Sequence, residues 1–228
     1  MNCQQPYSLY LFGSRGRAEL NTSSDTDVLV LVHPGHAFDR ESVVLPNSLK
    51  RAEGDMDLTF YSEGRIREMH AAGHLFIWHL YLEAKFLDGC CDILRELGQP
   101  NDYTAFEEDV SPLIELLESS TVEIDKHPGN IVYEAGLAYV CARNVSMSAS
   151  YYSEQGLTFS PYAPFLRDWG PKSFPLSKQQ YDELRLARLS TTRGGMPPVI
   201  QQHALKEDID QVRDWSTSVV ERARQIYL

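Results

Sequence analysis

The sequence predicts an α/β domain followed by an all-helical one. Three short apolar runs, Tyr7–Phe12, Asp25–Val32 and Met56–Tyr61, are each bounded by Gly, Pro or Ser, as buried strands are. From Arg65 onward the apolar positions recur at helical spacing instead. The turn Gly98-Gln99-Pro100-Asn101 marks the change and sets the expected domains at residues 1–98 and 102–228.

Taken in order, the run Tyr7–Phe12 stops at Gly13-Ser14, as a strand feeding a turn does. The chain is polar from Arg15 to Ser24, resumes as Asp25-Thr26-Asp27-Val28-Leu29-Val30-Leu31-Val32, and closes at His33-Pro34-Gly35. The third run is bounded by Gly54 and by Ser62-Glu63-Gly64. Helical periodicity covers Arg65 to Leu87, with Gly73 as a break between two helices. Further helices are expected over Tyr103–Ser119, Asn130–Tyr152, Ser177–Leu189 and Val199–Ile226, with Phe159–Phe174 as a structured loop packed onto them.

The 228 residues, 43% hydrophobic and 23% charged, have the balance of an ordinary globular protein. Met1-Asn2-Cys3-Gln4-Gln5-Pro6 lacks the basic region and apolar run of a signal peptide, and no apolar stretch is long enough to span a bilayer. A soluble cytoplasmic protein is the expectation. The net charge of −11 is spread evenly: nine basic against fourteen acidic residues up to Gly98, and twelve against eighteen beyond it. No basic domain exists, so binding to long nucleic acid is disfavoured. Adjacent Cys90-Cys91 suits a disulfide framework poorly and no CxxC occurs, so reduced thiols are expected.

The chemistry concentrates on the strands. Asp25 and Asp27 are two apart on one strand, so their side chains share a face and can share a cation. Asp57, between Met56 and Leu58, reads as the one polar residue of a buried stretch, where a carboxylate is costly unless paired or metal-bound. Asp55 shares its face as the second choice. Gly13 permits close backbone approach to a ligand, and Ser14 adds a hydroxyl donor to an anion cradle. Ten residues, Arg15 to Ser24, separate Ser14 from Asp25.

The stretch Leu11–Val32, LFGSRGRAELNTSSDTDVLVLV, resembles the signature of the polymerase-beta-like nucleotidyltransferase superfamily: apolar strand, Gly-Ser, ten residues, Asp-x-Asp, apolar strand. Asp57 matches the family's third carboxylate. Arg15 and the Ser24-Asp25 junction resemble the minimal nucleotidyltransferase branch, although Gly16-Arg17 departs from its usual Ala-Arg-Gly order.

The resemblance implies an α/β nucleotidyltransferase domain with a small mixed sheet, followed by a helical domain, and an active site in the cleft between them. It implies nucleotide transfer, most simply AMP from ATP to an acceptor hydroxyl, with two magnesium ions held by Asp25, Asp27 and Asp57. One ion would polarise the hydroxyl and the other neutralise phosphates and leaving group. Gly13, Ser14 and Arg15 would hold the triphosphate. The acidic balance favours a small cationic acceptor such as an aminoglycoside, docked against the helical half. A protein acceptor, as in antitoxin-type modifiers, and a non-catalytic nucleotide-binding interaction module are the rivals.

Weaker patterns read as structural. His70 and His74 are four apart but have no further ligand cluster, and the Arg65-x4-His70 pattern of HEPN-fold ribonucleases lies in the strand-rich half. Arg143, Arg185 and Arg188 read as helix-surface cations paired with Glu134, Asp182 or Glu183.

Overall fold

The computed structural model describes residues 5–13, 26–35, 38–50, 56–166, 169 and 173–227. The chain forms two compact units, Met1–Thr104 and Ala105–Leu228.

The first unit is built on a four-stranded mixed sheet of order β3-β2-β1-β4. The strands are β1 (Tyr7–Phe12), β2 (Thr26–Val32), β3 (Met56–Ser62) and β4 (Lys85–Asp88). β1 runs antiparallel to β2 and β4, and β2 runs parallel to β3. A parallel pair requires a crossover, and here it includes a 3-10 turn, Arg40–Ser42, and the short helix α1, Asn47–Lys50. Central β2 buries Val28, Leu29, Val30 and Leu31 completely. Because side chains alternate, the sheet has two apolar faces. One gathers Leu9, Val28, Val30 and Leu49. The other gathers Tyr10, Phe12, Leu29 and Leu31 beneath Ile66 and Met69 of α2 (Glu63–Ala71), Ile77 and Leu80 of α3 (Leu75–Glu83) and Ile93 of α4 (Ile93–Leu97).

The break between α2 and α3 falls where it was expected. Gly73 has φ 64°, and a Cβ there would strike the backbone of Asp102. His74 caps α3 by accepting from the Phe76 N–H at 3.1 Å, and His70 Nε2 lies 3.3 Å from the Gly98 carbonyl. Both histidines therefore have structural roles. The expected helix through Leu87 is corrected: α3 ends at Glu83 and Lys85–Asp88 is a strand. Ala84 turns to extended geometry at ψ 137°, which puts Phe86 opposite Tyr10 in the ladder. The first unit also continues past Gly98. Asn101 donates to Ala71 O at 2.7 Å, Trp78 Nε1 donates to Asn101 O at 3.1 Å, and Tyr103 is 1% exposed.

The cysteine expectation is corrected too. Cys90 is disulfide-bonded, whereas Cys91 and Cys141 are thiols. Adjacency disfavours a bond between Cys90 and Cys91, whose Sγ atoms stand 3.7 Å apart, but leaves each able to bond elsewhere.

The second unit is helical: α5 (Phe106–Lys126), α6 (Ile131–Ser150), α7 (Ala163–Leu166), α8 (Lys178–Arg193) and α9 (Gln202–Tyr227). α6 is its axis. Gly136 lets α8 approach so closely that a Cβ would lie 3.0 Å from Arg188 Cα. α8 starts with a capping box between Ser177 and Gln180. On α9, Leu205, Ile209, Val212, Trp215 and Val219 recur at helical spacing and are buried. Arg224 grips Glu107 through two bonds of 2.7 and 2.6 Å, and Lys206 bonds Asp125 at 2.6 Å, so α9 runs antiparallel to α5. Phe165, Phe174, Tyr181 and Trp215 form an aromatic cluster, the Phe174–Trp215 centroids 4.7 Å apart. Among the described residues no helix is long and apolar enough to cross a membrane.

Candidate active site

β1 ends at Phe12, and the chain turns at Gly13 with φ 71°, a conformation that disfavours any residue with a Cβ. A Cβ at Gly13 would collide with the Asp27 carboxylate. The turn and the carboxylate are thus in direct apposition, and only glycine leaves room between them.

Asp27 opposes Phe12 on one side and Asp57 on the other. β2 and β3 are parallel, with neighbouring strands about 4.8 Å apart, and residues directly opposite each other put their side chains on the same face. Asp27 and Asp57 accordingly stand side by side, on the sheet face that carries α2 and α3. Asp27 is half-buried and Asp57 exposed.

The exposure of Asp57 overturns the reading of it as a buried carboxylate. β3 is an edge strand in which every residue is half-buried or exposed, so its apolar neighbours cover one side of it only. Burial does not force a partner on Asp57. Like charge does: two carboxylates directly opposite in a ladder repel, and a cation between them converts that cost into attraction. Two hard oxygen donors beside a backbone turn fit magnesium. Asp25, Ser14 and Arg15, with Asp55, lie outside the described residues, so this geometry rests on Gly13, Asp27 and Asp57.

One neighbouring pair escaped the sequence reading. Phe12, the residue before Gly13, meets the rings of Phe76 and His79 edge-on at 5.8 and 5.6 Å. His79 Nε2 and Glu83 Oε2, one helical turn apart on α3, are 2.9 Å from each other and nearly buried. The His-x-x-x-Glu spacing was present to be read, but it is common on helices and only the fold brings it beside β1.

Of the arginines Arg143, Arg185 and Arg188 of the helical unit, Arg185 has a ring as its described partner. Arg185 lies over the Tyr162 ring at 5.7 Å, and Lys178 lies over the same ring at 5.2 Å. Burial, then the hydroxyl's 2.7 Å donation to Asp182, raises the Tyr162 phenol above its ordinary range.

The molecule thus combines a small mixed α/β sheet carrying an aspartate pair at a glycine turn with a helical second unit. No protein-family model matches the sequence, and no curated protein does. Among solved structures it is similar to spectinomycin adenyltransferase AAD(9) from Enterococcus faecialis, determined with ATP and spectinomycin. That similarity has a TM-score of 0.46 and 12% identity over 94% of this chain and 93% of that one.

Proposed function

We propose that the chain is a metal-dependent nucleotidyltransferase that moves a nucleotide, AMP from ATP, onto an acceptor hydroxyl and releases pyrophosphate. The observation that supports this is the direct register of Asp27 with Asp57 beside the Gly13 turn. In the transfer the acceptor oxygen bonds to the α-phosphorus as the bond to the bridging oxygen of pyrophosphate breaks. Asp25, Asp27 and Asp57 would hold two magnesium ions, which supply charge neutralisation on the triphosphate and polarisation of the attacking hydroxyl. Gly13, having no Cβ, lets the Asp27 carboxylate stand directly against the turn that would face the triphosphate. Ser14 adds a hydroxyl donor and Arg15 a guanidinium, the groups that hold a polyanion in line for attack.

The acceptor is a small cationic molecule such as an aminoglycoside, because the net charge of −11 attracts amines and repels a phosphate backbone. Incubation with magnesium and ATP labelled at the α-phosphate tests both parts. Label on an aminoglycoside supports the reading, and its transfer weakens as salt rises. Label on a protein band moves the acceptor to a partner protein, and label on RNA ends refutes the charge argument. Absence of label and of pyrophosphate release with every nucleoside triphosphate and acceptor class refutes the activity.

A further inference from the structure

His33 follows β2, at the end of the strand opposite Asp27 and about 20 Å away at about 3.3 Å per residue. There it meets the turn after β4. We propose that His33, Cys90 and Cys91 form a second, redox-gated site for a divalent cation that prefers thiolate and imidazole, zinc above all.

The ligand atoms of the three residues all lie within 4.8 Å of one another. Cys90 Sγ is 3.7 Å from Cys91 Sγ, and Cys91 Sγ is 3.8 Å from His33 Nε2. A tetrahedral ion with bonds of about 2.3 Å to sulfur and about 2.0 Å to nitrogen separates its ligands by about 3.5–3.8 Å. Two of the three spacings therefore match an ion's ligand shell, and reduction frees Cys90 Sγ to close the third.

The histidine is also oriented for this role. Its Nδ1 lies 2.9 Å from Glu63 Oε2, with side-chain exposures of 2% and 14%. Glu63 is braced in turn by Arg67 at 2.7 Å. A carboxylate accepting the Nδ1 proton leaves the Nε2 lone pair facing the sulfurs, which is how metal-binding histidines are held. Ser8 Oγ, 2.9 Å from Nε2, also donates to the Cys91 carbonyl at 2.9 Å, so a cation at Nε2 leaves it with a partner. The turn itself depends on Gly89, with φ 136°, where a Cβ would sit 2.8 Å from Ser8 Cα. Only glycine brings Cys90-Cys91 this close to β1.

The disulfide at Cys90 closes the site and its reduction opens it. A water-soluble phosphine takes the oxygen of one water as phosphine oxide, and the two sulfurs receive that water's hydrogens. The cation then displaces the Cys90 and Cys91 thiol protons into solvent, with water completing its coordination.

The test is cobalt(II) titration of the full chain after phosphine reduction and desalting without oxygen. Sulfur-to-cobalt charge-transfer absorption should saturate at one ion per chain, be bleached by zinc, and be absent from the unreduced chain. Magnesium-type carboxylate sites give no such band. Cys91→Ser and His33→Gln should lose it, Glu63→Gln should weaken binding by about 10- to 100-fold, and Cys141→Ser should leave it unchanged. Cys90→Ser, at an exposed position, removes a ligand without disturbing the core and should also lose the band with an unchanged circular dichroism spectrum. No charge-transfer band after reduction, or a band retained in Cys90→Ser or Cys91→Ser, overturns the proposal.

Discussion

Asp57→Asn separates a metal-binding carboxylate from an ordinary surface one, because only the first loses the stabilisation that magnesium and nucleotide confer. Asp57 stands directly opposite Asp27, on strands about 4.8 Å apart. Two unit charges about 5 Å apart repel by about 0.8 kcal/mol in water and about 3 kcal/mol at an effective dielectric of about 20. Asp57 is exposed, so the lower figure applies, in line with the 0.2–1 kcal/mol or so found for cross-strand pairs. Removing the charge should therefore stabilise the metal-free chain by about 0.5–1 kcal/mol. Magnesium and ATP at about a hundred times the dissociation constant should add about 2.7 kcal/mol to the unsubstituted chain. The variant should gain none of it and should not turn over. Urea unfolding followed by circular dichroism, with and without magnesium-ATP, reads both quantities. A variant that keeps the full ligand increment refutes the shared-cation reading and turns attention to Asp55.

Other perturbations follow from the same structure. Gly13→Ala should cost about 1–2 kcal/mol from the left-handed backbone alone, and by displacing the Asp27 carboxylate it should also weaken nucleotide binding; unchanged affinity by calorimetry would remove Gly13 from the site. Ser14→Ala should weaken magnesium-dependent ATP binding by about 1–3 kcal/mol if the hydroxyl meets a desolvated phosphate, again by calorimetry. Glu63 is lowered overall: burial, the largest single effect, raises it, but hydrogen bonds from His33 and Arg67 together with their charges outweigh this. Its contribution is in place above the ordinary carboxylate range and is lost as pH falls through the lowered value, so Glu63→Gln should flatten the acid side of the stability curve. In the helical unit Trp215→Ala should cost about 3–5 kcal/mol in urea unfolding. Trp215→Phe should cost much less, since it also removes an indole N–H that is buried with no partner among the described residues.

Local patterns carried much of the molecule in the sequence alone. Alternation and Gly or Pro boundaries marked β1, β2 and β3, periodicity marked the long helices, and Gly73 marked a break, because each depends on residues a few positions apart. Phe86 was misread as helical because four residues of strand are too few to show a period, and pairing with Tyr10 decided their geometry. The apolar neighbours of Asp57 could not say whether β3 was central or at an edge, since strand order is set by pairing and not by composition. The residue types at Gly13, Asp27 and Asp57 pointed to phosphate and metal chemistry. Only the register of β2 on β3 put the two carboxylates opposite each other, and only the turn at Gly13 set the chain against Asp27. The grouping of His33, Glu63, Cys90 and Cys91 left no trace in the sequence. It joins groups separated by the strands β3 and β4 and the helices α1, α2 and α3, and such distances close only when the sheet forms and its two faces bury their apolar side chains.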